Sequence, residues 1–200
     1  MNRLKNIITL NNRYFVMRHG ESLANQQGLI VSLAENGVSA YGLSEIGRAQ
    51  IEKSVTQHPH IKKITQIISS DFKRAHESAQ IADALLSCQS EIKLSENLRE
   101  RDFGDFELKS NIHYQTVWDN DEIDSSHTID HAESADSVMQ RATALILSLE
   151  KKFSAETILL VSHGDTLQIL QTAFLKQAAS QQRQMPHLET AEIRELVLSN

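Results

Sequence analysis

The stretch YFVMRHGES, residues 14–22, is an apolar run that ends abruptly in an arginine, a histidine and a glycine. Its first part is short and rich in β-forming residues, which is typical of a strand buried on both faces of a sheet. TILLV (residues 157–161) has the same character, and QIISS (residues 66–70) is a shorter version. We therefore predict three strands in one buried sheet.

Each of these runs is followed by a helical pattern, from Ser44 onward, over residues 71–86, and from residue 165 to about 178. Strands that alternate with helices predict a parallel sheet covered by helices on both faces. A further amphipathic helix is predicted from Ala135, where apolar residues recur at spacings of three and four. The final AEIRELVL, residues 191–198, fits a helix or a strand, and we predict an edge strand.

The composition is that of one globular domain, which we expect to span residues 1–200. Charged residues make up 23% and the hydrophobic set 40%, which argues against a disordered chain. A formal net charge of −6 argues against nucleic acid and anionic membranes as partners, so any anion site must be local. The single cysteine, Cys88, can form no internal disulfide and indicates a reducing compartment. Because the N-terminal apolar part is too short for a secretory signal, we expect a cytoplasmic protein.

Two of the predicted strands end in the same way. FVMRHGE (residues 15–21) and LLVSHGD (residues 159–165) each consist of an apolar strand, one polar residue and then His-Gly-acid. In a parallel sheet, His19 and His163 should emerge at the same carboxyl edge, where open α/β sheets bind ligands. A lone strand-end histidine is more often structural, so the repetition of the pattern is what favours a site.

The glycines that follow, Gly20 and Gly164, are expected to let the backbone turn sharply and approach a ligand closely. The third strand leads into SDFKRAHES, in which Ser70 or Asp71 can cap a helix and Arg74 falls in its first turn. The three junctions place arginines and histidines beside helix N-termini, which favour anions. Phosphate, or another tetrahedral anion, is the expected guest.

Four segments, RHGES, SSDFKRAHESA, LRERDFGDFE and VSHGD, resemble the signature segments of the histidine phosphatase superfamily and occur in the family's order. This superfamily contains the cofactor-dependent phosphoglycerate mutases and fructose-2,6-bisphosphatase. The segments span residues 18–165, most of the chain. The resemblance implies a phosphoglycerate mutase-like fold, which is a three-layer α/β/α sandwich with a mostly parallel central sheet.

The resemblance also implies a histidine acid phosphatase-type phosphomonoesterase that acts on a small phosphorylated substrate. His19 would be the nucleophile that forms a phosphohistidine, and Glu100 would be the proton donor. The implied phosphate-binding residues are Arg18, His19, Asn25, Arg74, His163 and Gly164. No cofactor is expected, because the cationic side chains can replace a metal ion.

Physical chemistry sets a requirement for each role. His19 has to be neutral when it attacks phosphorus, while Arg18 and Arg74 can hold the phosphoryl oxygens bidentately. Glu100 has to retain its proton near pH 7, so burial or the incoming dianion should raise its pKa. The arginines of RER, residues 99–101, would oppose this if they point at the carboxyl group; alternatively they form a solvated charge run.

Residues 106–133, which include all but the last residue of the acidic stretch DNDEIDSSHTIDHAES, are predicted to form an inserted loop or flap. If this flap closes over the pocket, its carboxylates would disfavour a substrate with a second phosphate or carboxylate. The alternative is a solvated loop that never approaches the substrate. Leu108 and Ala132, which replace glycines common in the family, also lie in this segment.

Three alternative functions follow from the same residues. Phosphoglycerate mutases carry a Trp-Arg-Arg element, whereas Trp118 is followed here by Asp119 and Asn120, so we predict a phosphatase with little mutase activity. A non-catalytic module could bind a phosphorylated partner in the same pocket. A metal hydrolase could use the candidate ligands Asp124, His127, Asp130 and His131.

Overall fold

A computed structural model describes residues 1–88 and 90–199 and contains a five-stranded central sheet. The strands are β1 (Arg13–Arg18), β2 (Gln66–Ser69), β3 (Lys93–Leu94), β4 (Thr157–Ser162) and β5 (Ile193–Leu196). Their spatial order is β3-β2-β4-β1-β5, and β5 alone pairs in the antiparallel sense. The three predicted strands lie side by side at the centre, and the predicted C-terminal edge strand is confirmed.

Helices cover both faces of this sheet. They are α1 (Leu23–Gln27), α2 (Ala34–Gly37), α3 (Glu45–Gln57), α4 (Lys73–Leu86), α5 (Tyr114–Ile123), α6 (Ala135–Lys152) and α7 (Gly164–Phe174). Alternate residues of β1 point to opposite faces: Phe15 and Met17 pack with α3 and α4, whereas Tyr14 and Val16 pack with α6 and α7. The predicted three-layer α/β/α sandwich is confirmed. No helix within residues 1–88 and 90–199 is long and apolar enough to cross a membrane.

The helix after β2 begins later than the sequence predicts. Phe72, with extended backbone, occupies the N-cap position, so neither Ser70 nor Asp71 caps α4 through its side chain. Ser70 Oγ instead accepts a hydrogen bond from the backbone N–H of Phe72 at 3.2 Å. The extended residue lets the Phe72 ring pack under the site, with its centroid 5.2 Å from that of His163. Arg74 still falls in the first turn, as predicted.

The polar segment after Phe106 is not simply a loop, because it contains the ten-residue helix α5. Its sequence has few apolar residues, but Asp121 is fully buried and accepts two hydrogen bonds from the equally buried Arg101, at 2.6 and 2.9 Å. Val117 joins a small core with Phe103. Contacts with distant residues therefore stabilise the helix, and the prediction of a loop is wrong for residues 114–123.

The two glycines that follow the strand-end histidines do not serve as left-handed turns, and the close approach of their backbone to a ligand stays a prediction. Neither Gly20 nor Gly164 has a positive φ. A Cβ atom at Gly20 would lie 2.4 Å from the carbonyl oxygen of Gly47, and one at Gly47 would lie 2.0 Å from that of Glu21. The turn after β1 therefore packs backbone against backbone on α3, which fixes the chain beside His19.

We expect Gly47→Ala to lower the free energy of unfolding by about 1–3 kcal/mol, because the new methyl group overlaps a backbone atom that cannot move aside. The same change at an unobstructed helix position stabilises by about 0.5–1 kcal/mol, so the sign of the effect is diagnostic. Urea denaturation of the intact protein and of the variant measures the change in the free energy of unfolding. Lys53→Ala, at an exposed position of α3, is the control. A stabilised Gly47→Ala variant would contradict the close contact.

Candidate active site

The carboxyl ends of β1, β2 and β4 open on one cavity of about 170 Å³. Many of the predicted site residues line it, namely Arg18, His19, Asn25, Arg74, Glu100 and Gly164. They come from three different strand-to-helix junctions and from the segment before α5, so the parallel sheet brings them together as expected. Asn25 is fixed at the N-terminus of α1, where its Oδ1 accepts a hydrogen bond from the backbone N–H of Ser22 at 3.0 Å.

His19 is held as a neutral ring with one nitrogen available. Its Nδ1 lies 2.7 Å from the carbonyl oxygen of Gly20, and because a carbonyl only accepts, Nδ1 carries the proton. Nε2 therefore bears the lone pair, and it accepts a hydrogen bond from Arg74 Nε at 3.1 Å. Burial, together with the charges of Arg74 and Arg18, holds the pKa of His19 well below its usual value. The ring meets the requirement for a nucleophile near pH 7.

Two arginines present buried donors to the same space. Arg74 is anchored through Nη2, which donates to the carbonyl oxygen of Val31 at 2.9 Å. Arg18 Nη1 donates to the carbonyl oxygen of Leu188 at 2.8 Å and to His187 Nε2 at 2.9 Å. Within the described part of the chain, Arg18 Nε and Arg74 Nη1 are buried without a hydrogen-bond partner. Unpaired buried donors are costly, and an anion would satisfy them.

His163 lies behind His19 rather than among the residues that line the cavity. The two ring centroids are 5.1 Å apart, and His163 Nε2 is 2.9 Å from Ser70 Oγ. Its Nδ1 is buried and has no hydrogen-bond partner in the described residues. Burial and the charge of Arg74 keep the pKa of His163 well below its usual value. Direct contact between this ring and a phosphoryl group stays a prediction.

Glu100 is a buried carboxyl group at the cavity. Its Oε1 accepts hydrogen bonds from the backbone N–H groups of Arg101, at 3.0 Å, and Thr166, at 3.3 Å. Burial raises the pKa of Glu100, and the nearby charge of Asp165 adds to the effect. The environment therefore favours the protonated acid that a leaving alkoxide would need.

The arginines on either side of Glu100 do not point at its carboxyl group. Arg99 pairs with Asp71 at 2.6 Å, and Arg101 pairs with Asp121 at 2.6 Å. Because Arg101 is fully buried, RER is not a solvated charge run. Because both guanidinium groups pair with other carboxylates, Arg99 and Arg101 lower the pKa of Glu100 much less than they would if they faced its carboxyl group.

Several cavity residues had no role assigned from the sequence: Asp165, Tyr114, Trp118 and His187. The rings of Tyr114 and Trp118 stack with centroids 5.4 Å apart, and Trp118 Nε1 donates to both carboxylate oxygens of Asp165, at 2.9 and 3.0 Å. Tyr114 and Trp118 are four residues apart, a spacing that places both rings on one face of a helix. The sequence pattern did not predict a helix there, so this signal could not be used. The carboxylates of the acidic segment 119–133 do not line the cavity, so the predicted repulsion by a flap has no support.

The candidate metal ligands are not assembled. His127 contacts Asp121 at 2.9 Å, whereas His131 contacts Asp105 at 3.0 Å. No group of three or more His, Cys, Asp or Glu side chains that could hold a metal ion occurs in the ranges 1–88 and 90–199. The geometry gives the metal hydrolase alternative no support.

Comparison with known proteins gives relatives with two kinds of name. The chain is 30% identical over 165 residues to phosphoglycerate mutase-like protein 4 of Arabidopsis thaliana, which covers 78% of this chain and 67% of that protein. It is 26% identical over 167 residues to adenosylcobalamin/alpha-ribazole phosphatase of Escherichia coli K12, covering 79% of this chain and 76% of the relative.

Solved structures share the fold at lower identity. A mycobacterial glucosyl-3-phosphoglycerate phosphatase superposes with a TM-score of 0.77 at 21% identity, covering 92% of this chain and 90% of the other. The alpha-ribazole phosphatase of Shigella flexneri gives 0.74 at 23% identity, covering 92% and 89%. The sequence model of the family described as "Histidine phosphatase superfamily (branch 1)" matches residues 14–200 of this chain. The chain belongs to the histidine phosphatase superfamily.

Proposed function

We propose that this protein is a metal-independent phosphomonoester hydrolase that acts through a phosphohistidine on His19, with Glu100 as proton donor. The observation that carries the proposal is the state of His19: a buried, neutral ring with its Nε2 lone pair directed at Arg74. A neutral nitrogen can approach an anionic phosphoryl group without charge repulsion. Family membership and the relatives named as phosphatases support the same reaction class.

The proposed reaction has two steps. His19 Nε2 attacks phosphorus, the P–O bond to the alcohol breaks, and the leaving oxygen takes the proton of Glu100. Water then attacks phosphorus, its proton goes to the Glu100 carboxylate, and the N–P bond breaks to release phosphate. Because Arg74 Nε–H bonds the Nε2 lone pair, that donor must transfer to the phosphoryl group before attack.

The buried arginines supply the binding side of the proposal. Arg18 and Arg74 would hold the equatorial oxygens, whose charge persists throughout the transfer. Gly164 opens α7 and lines the cavity, so the N-terminal end of this helix faces the site and favours an anion. Asn25 and His163 complete the proposed set. These donors take the place of a metal ion, and no cofactor is invoked.

Two coarser features are part of the proposal. We place the protein in the cytoplasm, on the strength of its single cysteine and its composition. We also treat residues 1–200 as one domain, with 106–133 inserted into it.

Phosphoglycerate mutase activity is the second candidate, because one relative carries that name. The Asp119 and Asn120 side chains that follow Trp118 provide no cation for a substrate carboxylate. We therefore propose little mutase activity. A non-catalytic phosphate-binding module is less well supported, because binding alone would need neither a neutral nucleophile nor a protonated Glu100.

The proposal is tested by quenching the intact protein in alkali during turnover of p-nitrophenyl phosphate, with a chelator in excess. Alkali is used because acid hydrolyses an N–P bond. Digestion and mass spectrometry should place the added phosphoryl group on the peptide that contains His19. Release of p-nitrophenolate should be unaffected by the chelator.

Loss of activity in chelator, or a label on another residue, would contradict the mechanism. Phosphate binding without turnover of any ester would favour the binding module. Robust conversion of 3-phosphoglycerate to 2-phosphoglycerate, primed by the bisphosphate, would establish the mutase instead.

A further inference from the structure

Asp165 is a second carboxyl group in the cavity, and the proposed reaction does not use it. It stands in the first turn of α7 and is 4% exposed. Trp118 Nε1 donates to both of its oxygens, and Arg101 Nη1 and Arg183 Nη1 lie 3.5 and 3.9 Å from them. These donors oppose the burial that raises the pKa of Asp165, and they favour its ionised form.

Glu100 has a different environment. Its Oε1 accepts from backbone N–H groups, and among the described residues no arginine or lysine lies within ion-pair distance of it. The charges of Arg74 and Arg18 lower its pKa from further away, but burial and the charge of Asp165 raise it, and the pKa is raised on balance. When the surroundings of two carboxyl groups in one cavity push their pKa values apart, one group keeps its proton and the other stays ionised. Here Glu100 holds the proton and Asp165 holds the charge.

The rest of the cavity wall is neutral. Among the described residues that line it, the arginines are Arg18 and Arg74, and both are proposed to bind the phosphoryl group. The remaining polar wall consists of Ser22, Asn25, Asn111, Tyr114 and His187. Burial and the neighbouring Arg18 hold the pKa of His187 below its usual value, so this ring adds no positive charge. Among the described residues that line the cavity, a second anionic group on a substrate would meet the Asp165 carboxylate and no further arginine or lysine. Arg183, whose Nη1 is 3.9 Å from Asp165, does not line the cavity.

We propose that Asp165 is the specificity-determining residue: it selects phosphomonoesters whose carbon body carries a hydroxyl or ammonium donor and disfavours a second carboxylate or phosphate. A carboxylate offers about four acceptor sites. Of the three neighbouring donors only the Trp118 N–H is hydrogen-bonded to Asp165, since the nitrogens of Arg101 and Arg183 are 3.5 and 3.9 Å away, so room remains for a substrate donor. That hydrogen bond would be charge-assisted, whereas a second anion would be repelled in a partly dry space. The inference rests on the proposed function and names its substrate class.

The repelling charge thus belongs to α7 and not to the acidic segment of α5. Asp119 provides the comparison, because it lies on α5, is exposed and accepts a hydrogen bond from Gln115 Nε2 at 2.6 Å. It does not line the cavity. Neutralising each carboxylate in turn separates the two sources of charge.

The experiment compares three esters with two-carbon bodies: 2-aminoethyl phosphate, 2-hydroxyethyl phosphate and phosphoglycolate. Their leaving groups are all alkoxides, so the ratio of kcat/KM between two of them cancels effects on the chemistry they share. The intact protein should prefer the amino and hydroxyl esters to phosphoglycolate by at least about 10-fold. Asp165→Asn, which keeps the size of the side chain, should reduce that ratio by at least about 10-fold, and Asp119→Asn should leave it unchanged.

Turnover of these esters by the intact protein without the preference would overturn the inference while leaving the proposed function standing. The inference would equally be overturned if Asp119→Asn reduced the ratio as much as Asp165→Asn does. If Asp165→Asn does not fold, Asp165→Ser and its control Asp119→Ser provide the same comparison. Failure to hydrolyse any ester, including p-nitrophenyl phosphate, would overturn the proposed function itself.

Discussion

Replacing His19 with alanine is expected to lower kcat/KM for p-nitrophenyl phosphate by at least about 10⁴-fold, with a chelator present throughout. The substitution removes the only atom proposed to bond to phosphorus, Nε2, while Arg18 and Arg74 remain to bind the phosphoryl oxygens. The good leaving group of this substrate cannot compensate, because the variant has no side chain to attack phosphorus in the first step. Steady-state kinetics measures the loss, and inorganic phosphate should still bind to the variant in a calorimetric titration.

His76→Ala is the matched control, because His76 lies on α4, is partly buried and has no proposed role. It should retain near-normal kcat/KM. Thermal unfolding of both variants separates a chemical loss from a loss of fold. If His19→Ala still hydrolyses the ester within about 10-fold of the intact protein, the phosphohistidine mechanism is wrong.

Replacing Glu100 with glutamine should produce a loss that depends on the leaving group. For 2-hydroxyethyl phosphate, whose alkoxide must be protonated as it leaves, kcat/KM should fall by about 10²–10⁴-fold. For p-nitrophenyl phosphate the leaving phenolate is stable without a proton, so kcat/KM should fall by less than about 10-fold. The quotient kcat/KM is the correct readout, because it covers only the steps up to release of the alcohol.

The pH profile of the same variant gives an independent check. Glu100 is active when protonated, and burial raises its pKa, so kcat/KM for 2-hydroxyethyl phosphate should decline as the pH rises through that raised value. His19 is active when neutral, and its lowered pKa moves its own acid limb well below pH 6.5. Glu100→Gln should lose the alkaline decline, whereas Glu122→Gln, at an exposed position of α5, should keep it. Equal losses for both esters would argue against Glu100 as the acid.

The parts of the fold that the sequence predicts are those encoded by local patterns. The apolar runs that become β1, β2 and β4 need burial on both faces, and each is followed by a helix that returns the chain to the same edge. That geometry alone brings Arg18, Arg74 and His163 toward one end of the sheet. Assigning chemistry to His19 and Glu100 required the family resemblance as well, because strand ends carry polar residues for many reasons.

The parts that the sequence does not predict depend on pairs of residues far apart in the chain. Helix α5 has little apolar pattern of its own, and its stability depends on Asp121 meeting Arg101, which no local window contains. Trp118 reaches Asp165 across a separation of 47 residues, more than twice the 20 residues between Arg101 and Asp121. Gly20 is needed because of Gly47, and only the packed structure shows the two backbones in contact.

The ion pair between Arg101 and Asp121 has a consequence for how a substrate reaches the site. It joins α5 to Arg101, the residue that directly follows Glu100. Moving the helix away from the domain would break this pair and leave a buried charge without its partner. Such a motion is costly, and the aromatic side of the cavity is therefore a fixed wall. A phosphate ester therefore has to enter without displacing the wall that Tyr114 and Trp118 provide.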